Sequence, residues 1–143
     1  MTLRILVDSS TQPGAFQWFG PIDAANLSEW CSGRRIQPPM DLFELLERTG
    51  GGDFFESETI LGPIGGRDTG DESDGANGWH RQRGLPEDLW LFHVGITLSA
   101  LRRTDNRYVT LSRAYIMEAE YSTLDDWYAP IREEFAERYG LAP

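Results

Sequence analysis

The chain has 143 residues, 40% of them hydrophobic and 12% aromatic, which suits a single domain with its own core and argues against a disordered chain. Its 13 basic residues are all arginine, and against 23 carboxylates they leave a formal charge of −10. Without lysine, Schiff-base chemistry and a lysine-bearing phosphate loop are excluded. Cys31 is the only cysteine, so an internal disulfide and a thiolate metal cluster are excluded as well.

In chain order, Arg4-Ile-Leu-Val-Asp8 reads as a short opening strand. Asp23 is placed to cap a helix in which Ala24, Leu27 and Trp30/Cys31 recur at helical spacing, with Gly33 as its stop. Pro38-Pro39 opens a second helix whose buried face is Leu42, Phe43, Leu45 and Leu46, ended by Gly50-Gly51-Gly52. Phe54-Phe55 and Thr59-Ile60-Leu61 then turn into a strand. Residues 62–84 hold seven glycines and four acids and are expected to form a flexible loop. Trp79, near the end of that loop, either anchors a partner or tucks back into the core.

From Leu89 the pattern alternates as strands do: Ile96, Leu98 and Ala100, a turn at Thr104-Asp105-Asn106, then Val109 and Leu111, then Tyr115, Met117, Ala119 and Tyr121. Ser122-Thr123 followed by Asp125-Asp126 marks a final helix with Leu124, Trp127, Tyr128, Ile131 and Phe135 as its inner stripe. The whole is expected to be one α+β domain over residues 1–143, with a mostly antiparallel sheet, N-terminal helices and one C-terminal helix.

The sequence offers little catalytic equipment. His80 and His93 have no companion His or Cys at zinc spacing. Asp68-Thr69-Gly70 copies the aspartic-protease tripeptide without the preceding hydrophobic strand or a second copy. Asp71 and Asp74 faintly echo a calcium loop, but Gln82 stands where the bidentate acid belongs. No cofactor is expected. Charge is more telling: residues 53–80 carry seven acids and one arginine, whereas residues 81–113 carry six arginines and three acids. Such a surface repels nucleic acid over most of its extent and attracts basic partners.

Several stretches taken together carry a resemblance. Pro38-Pro39-Met40-Asp41-Leu42-Phe43-Glu44-Leu45-Leu46 is followed by Gly50-Gly51-Gly52-Asp53 and Phe55-Glu56-Ser57-Glu58-Thr59-Ile60-Leu61-Gly62-Pro63. A loop with Asn77, then Gly84-Leu85-Pro86-Glu87-Asp88-Leu89-Trp90-Leu91-Phe92 and Thr123-Leu124-Asp125-Asp126-Trp127 complete the order. Over residues 20–136 this resembles the SUKH superfamily of fungal cell-wall assembly regulators and bacterial toxin-immunity proteins. Thr49 departs from the asparagine often found before the glycines, and Pro38-Pro39 from leucine-proline.

The resemblance implies a non-enzymatic binding scaffold. The resulting expectation is a cytoplasmic immunity protein that neutralises a cognate secreted toxin with a basic active-site surface, of nuclease or deaminase type. A regulatory scaffold for another cellular protein and a metal-dependent enzyme using loop carboxylates are the alternatives. The expected contact residues are Asp68, Asp71, Glu72 and Asp74, with Trp79 as apolar anchor and Asp53, Glu56 and Glu58 extending the surface. No membrane partner is expected, since no apolar run approaches the ~20 residues of a spanning helix and no signal peptide is read at the start of the chain.

Overall fold

The computed structural model describes residues 2–63 and 72–143. The chain opens with a helix, α1 (Arg4–Thr11), where Arg4-Ile-Leu-Val-Asp8 reads as a strand in the sequence. Helical spacing puts Ile5 and Asp8 on one buried face, and Asp8 needs that face for its partners on the last helix. Tyr128 donates its hydroxyl hydrogen bond to Asp8 at 2.7 Å, and Arg132 reaches the same carboxylate through Nε at 2.7 Å and Nη2 at 3.2 Å. Tertiary pairing thus overrides the local strand pattern.

A 3-10 turn at Pro13–Ala15 leads into β1 (Phe16–Trp18), followed by α2 (Ala24–Gly33) and α3 (Met40–Thr49). The Asp23 carboxylate caps α2 by accepting from the N–H groups of Ala25 and Asn26. Gly50 ends α3 in the left-handed conformation, where an added Cβ would also strike the Gly20 carbonyl. The strands β2 (Gly52–Phe54), β3 (Glu58–Ile60), β4 (Leu89–Val94), β5 (Leu98–Arg102), β6 (Arg107–Leu111) and β7 (Met117–Tyr121) complete a seven-stranded antiparallel sheet among the described residues. Each strand pairs with its neighbour in sequence, from β1 to β7. The C-terminal helix α5 (Leu124–Tyr139) starts on Thr123, whose hydroxyl accepts from the Asp126 N–H. The architecture is α+β.

The expected loop over residues 62–84 contains a helix, α4 (Ser73–Arg81), and residues 64–71 lie outside the described residues. α4 buries Ser73, Ala76, Asn77 and His80 at i, i+3, i+4 and i+7. This is a helical period written in polar residues, so apolar periodicity does not reveal it. Asn77 makes the docking. Its Nδ2 donates to the Leu91 carbonyl at 3.0 Å and its Oδ1 accepts from the Leu91 N–H at 2.7 Å. Those Leu91 groups lie beyond the end of β3, whose register with β4 covers only Thr59↔Val94 and Ile60↔His93. The amide takes the place of a missing strand neighbour.

Two apolar clusters divide the two faces of the sheet. One gathers Leu27, Leu45, Phe54, Phe92, Leu101, Trp127 and Tyr128 beneath α1, α2, α3 and α5. The other joins Leu89, Leu91, Leu98, Ala100, Val109 and Leu111 to Ala76 and Leu85 beneath α4. The middle of the sheet is therefore covered on both sides, and four successive residues of β5, Leu98 to Leu101, are buried. Ile96, read as part of that strand, sits instead in the preceding turn and is exposed, and Tyr115 precedes β7 with φ 64°. No described helix is long and apolar enough to cross a membrane.

Candidate functional site

The residues expected to form one acidic surface are dispersed. Asp53, in β2, accepts a hydrogen bond from the Thr59 hydroxyl at 2.7 Å. Glu56 lies in the β2–β3 turn and pairs with Arg138 at the far end of α5, 3.1 Å away. Asp74 lies in the first turn of α4 and is held by Arg34, just past the end of α2, through two hydrogen bonds of 2.7 and 2.6 Å. Glu72 is exposed just before α4. Trp79 is 52% exposed on α4, with the Arg83 guanidinium 3.5 Å over its ring. Asp68 and Asp71 lie outside the described residues.

Glu58 is not at the surface at all: it is buried, 2% exposed, beside a fully buried His93. A bulge between Leu91 and His93 turns both Phe92 and His93 toward Trp127, their ring centroids each 5.0 Å from its indole. The hydrogen bonds there form one continuous chain. Trp127 Nε1 donates to Ser99 Oγ at 2.8 Å, and Ser99 Oγ lies 2.8 Å from His93 Nδ1. His93 Nε2 lies 3.0 Å from Glu58, which also accepts from the Ser57 hydroxyl and the Ile96 N–H. A neutral imidazole protonated on Nε2 satisfies every donor in this chain. Burial holds the His93 pKa below its ordinary value. Burial opposes ionisation of Glu58, but the hydrogen bonds it accepts outweigh that and hold its carboxyl below the usual range.

Serine, histidine and carboxylate thus stand in hydrogen-bonded order, but Ser99, His93 and Glu58 are all buried and line none of the surface cavities described. The arrangement ties β3, β4, β5 and α5 together. His80, read as a loop residue, is also buried; its Nδ1 lies 2.8 Å from the Tyr115 hydroxyl. Among the described residues no group of three His, Cys, Asp or Glu side chains is placed to hold a metal ion.

A strongly charged concavity lies elsewhere, between α3 and the start of α5. It is a groove of about 880 Å³ lined by Asp41, Glu44, Glu47, Asp125 and Asp126 against a single guanidinium, Arg48. Its formation follows from the two helices. Leu42, Leu45 and Leu46 turn α3 inward, leaving Asp41, Glu44 and Glu47, three residues apart, on its flank. Asp125 and Asp126 occupy the first turn of α5, where carboxylates are favoured by the helix dipole.

Two of the five acids hold the groove in shape. Asp41 accepts from the Leu124 N–H at 2.7 Å, from its neighbour Leu42 at 2.8 Å and from the Tyr108 hydroxyl, and so fastens α3 to α5. Asp125 accepts from the Arg4 N–H at 3.0 Å. Glu44 meets Arg48 at 3.2 Å on the surface. Glu47 and Asp126 make no salt bridge among the described residues. Met40, 88% exposed, stands on the rim as a flexible apolar contact.

In the sequence Asp125-Asp126 reads only as the first turn of a helix, and neither Glu44 nor Glu47 stands out as a contact residue. The helical spacing of Asp41, Glu44 and Glu47 was available as a signal; their meeting with Asp125 and Asp126, more than 75 positions away, has no local trace. The chain matches no protein-family model, and a search of curated proteins finds no match to it.

Proposed function

We propose that the protein is a binding protein of the immunity type, which neutralises a toxin by seating the acidic groove between α3 and α5 on the toxin's basic surface. The observation that carries this reading is the groove itself: five carboxylates, one arginine and an exposed methionine around about 880 Å³. Concentrated charge of one sign steers a partner of the opposite sign and speeds its docking. A flexible apolar rim adapts to the stems of the partner's arginine or lysine side chains. The SUKH resemblance of the sequence supports the same role.

The test is co-expression with the protein encoded beside this gene, taken as the candidate toxin. Cells carrying the wild-type protein survive, and the variant Glu44→Lys/Glu47→Lys/Asp126→Lys loses protection while keeping its circular dichroism spectrum. Purified wild-type protein binds that toxin with an association rate that falls steeply with added salt. Protection undiminished by the triple reversal would overturn the groove as the contact surface, and no protection by the wild type would overturn the immunity reading.

A further inference from the structure

On the other side of Phe43, which lines both concavities, lies a second cavity of about 550 Å³ between the end of α2 and the β5–β6 turn. Its lining has the opposite character. Arg35 and Arg103 face it together with neutral polar groups such as Ser32 and Asn106, over an apolar floor of Ile36 and Leu101, and no carboxylate is among its described lining residues. In a chain of net charge −10, an acid-free cavity with two guanidinium groups runs against the composition.

Neither arginine has a salt-bridge partner among the described residues, although the adjacent Arg34 is matched by Asp74 and Arg102 by Asp105 and Glu120. Arg103 is fixed in place: its Nη1 donates to the carbonyls of Arg34 and Arg35 at 3.2 and 3.4 Å, and its guanidinium lies 5.4 Å from the Trp90 ring centroid. Its buried Nε has no acceptor among the described residues. Burial and the nearby Arg81 depress its pKa, Glu87 opposes them, and Arg35 adds to the depression.

Arg35 itself stands where the backbone asks for glycine. With φ 56° it closes α2 in the left-handed conformation, the Ile36 N–H donating to Cys31 O and the Arg35 N–H to Ser32 O. A branched or long side chain there carries a conformational cost that glycine does not. Asn106, on the facing turn, has φ 58°.

We infer that this cavity is a binding site for a small oxyanion, phosphate or carboxylate, carried on an apolar body: Arg35 and Arg103 take the charge and Ile36 and Leu101 take the body. The volume falls in the range of small-molecule sites, and paired planar guanidinium groups suit both oxyanions. The site is separate from the acidic groove and does not depend on the immunity reading.

Titration calorimetry at fixed ionic strength tests it, with phenyl phosphate and benzoate as the two oxyanions, inorganic phosphate as charge without body and phenol as body without charge. At least one of the two aryl anions binds more tightly than inorganic phosphate and phenol do, and the preferred one identifies the oxyanion. Arg103→Gln and Arg35→Gly each weaken that binding by about tenfold or more, whereas Arg83→Gln, an equal charge change outside the cavity, leaves it unchanged. Arg35→Gly melts no lower than the wild type, which separates lost binding from lost folding. Binding of neither aryl anion, or binding that Arg35→Gly leaves intact or Arg83→Gln weakens equally, would overturn the assignment.

Discussion

At His93, burial favours the neutral imidazole, and the same is true of His80, where burial is the largest effect and Arg113 and Arg83 add to it. Both folded-state values lie below the ordinary histidine pKa of about 6.5, so between those values the unfolded chain binds more protons than the folded one. The stability these residues contribute is complete above about pH 6.5 and is lost as pH falls through the folded-state values. Glu58, also lowered, contributes above the ordinary carboxylate value and loses that contribution at still lower pH. The urea midpoint is therefore expected to fall between pH 7.5 and pH 5. His93→Gln should flatten that fall without abolishing it, since His80 remains. A midpoint independent of pH across this range would contradict the neutral, buried imidazoles described here.

Elements in this molecule are joined by single side chains that complete a neighbour's backbone. Asn77 pairs with both main-chain groups of Leu91, and Asp41 accepts from the Leu124 N–H at the start of α5. Asn77→Ala leaves a buried N–H and a buried carbonyl without partners, at a cost of about 2–4 kcal/mol. Denaturant unfolding would measure the loss, and hydrogen exchange should show α4 opening more readily while α5 is unaffected. The same distinction explains which elements the sequence makes legible. The helices α2, α3 and α5 are legible because Asp23, Gly50 and Thr123 cap apolar stripes in the residues themselves. Nothing local announces α4, whose inward face is Ser73, Asn77 and His80, or α1, which is a helix because Asp8 must meet Arg132. The acidic groove was half visible: the helical spacing of α3 gives one wall, and only tertiary contact supplies the other from the first turn of α5.

Taken whole, the molecule separates its charge more finely than the sequence segments suggested. Carboxylates crowd the groove on one side of Phe43, while Arg35 and Arg103 hold the cavity on the other. Meanwhile the acids first expected to act together, Asp53, Glu56, Glu58 and Asp74, are each bonded to a neighbour in the fold. An isolated surface ion pair adds little to stability. Asp8 with Arg132 is different, because its carboxylate is buried and carries Tyr128 as well. Asp8→Asn is expected to cost about 1–3 kcal/mol, because the buried side chain loses the charge that Arg132 and Tyr128 both bond.

That clasp also bears on how the chain reaches its native state. The pairs β2–β3, β4–β5, β5–β6 and β6–β7 are joined by short turns and can zip as hairpins with little loop entropy lost. By contrast, β1–β2 and β3–β4 close longer connections through α2, α3 and α4. The bonds from Arg132 to Asp8 span 124 positions and need both ends of the polypeptide, so they should close after the rate-limiting barrier. In stopped-flow experiments Asp8→Asn would then hasten unfolding while leaving the refolding rate nearly unchanged. A slowed refolding limb would place the meeting of the termini at the start of folding instead.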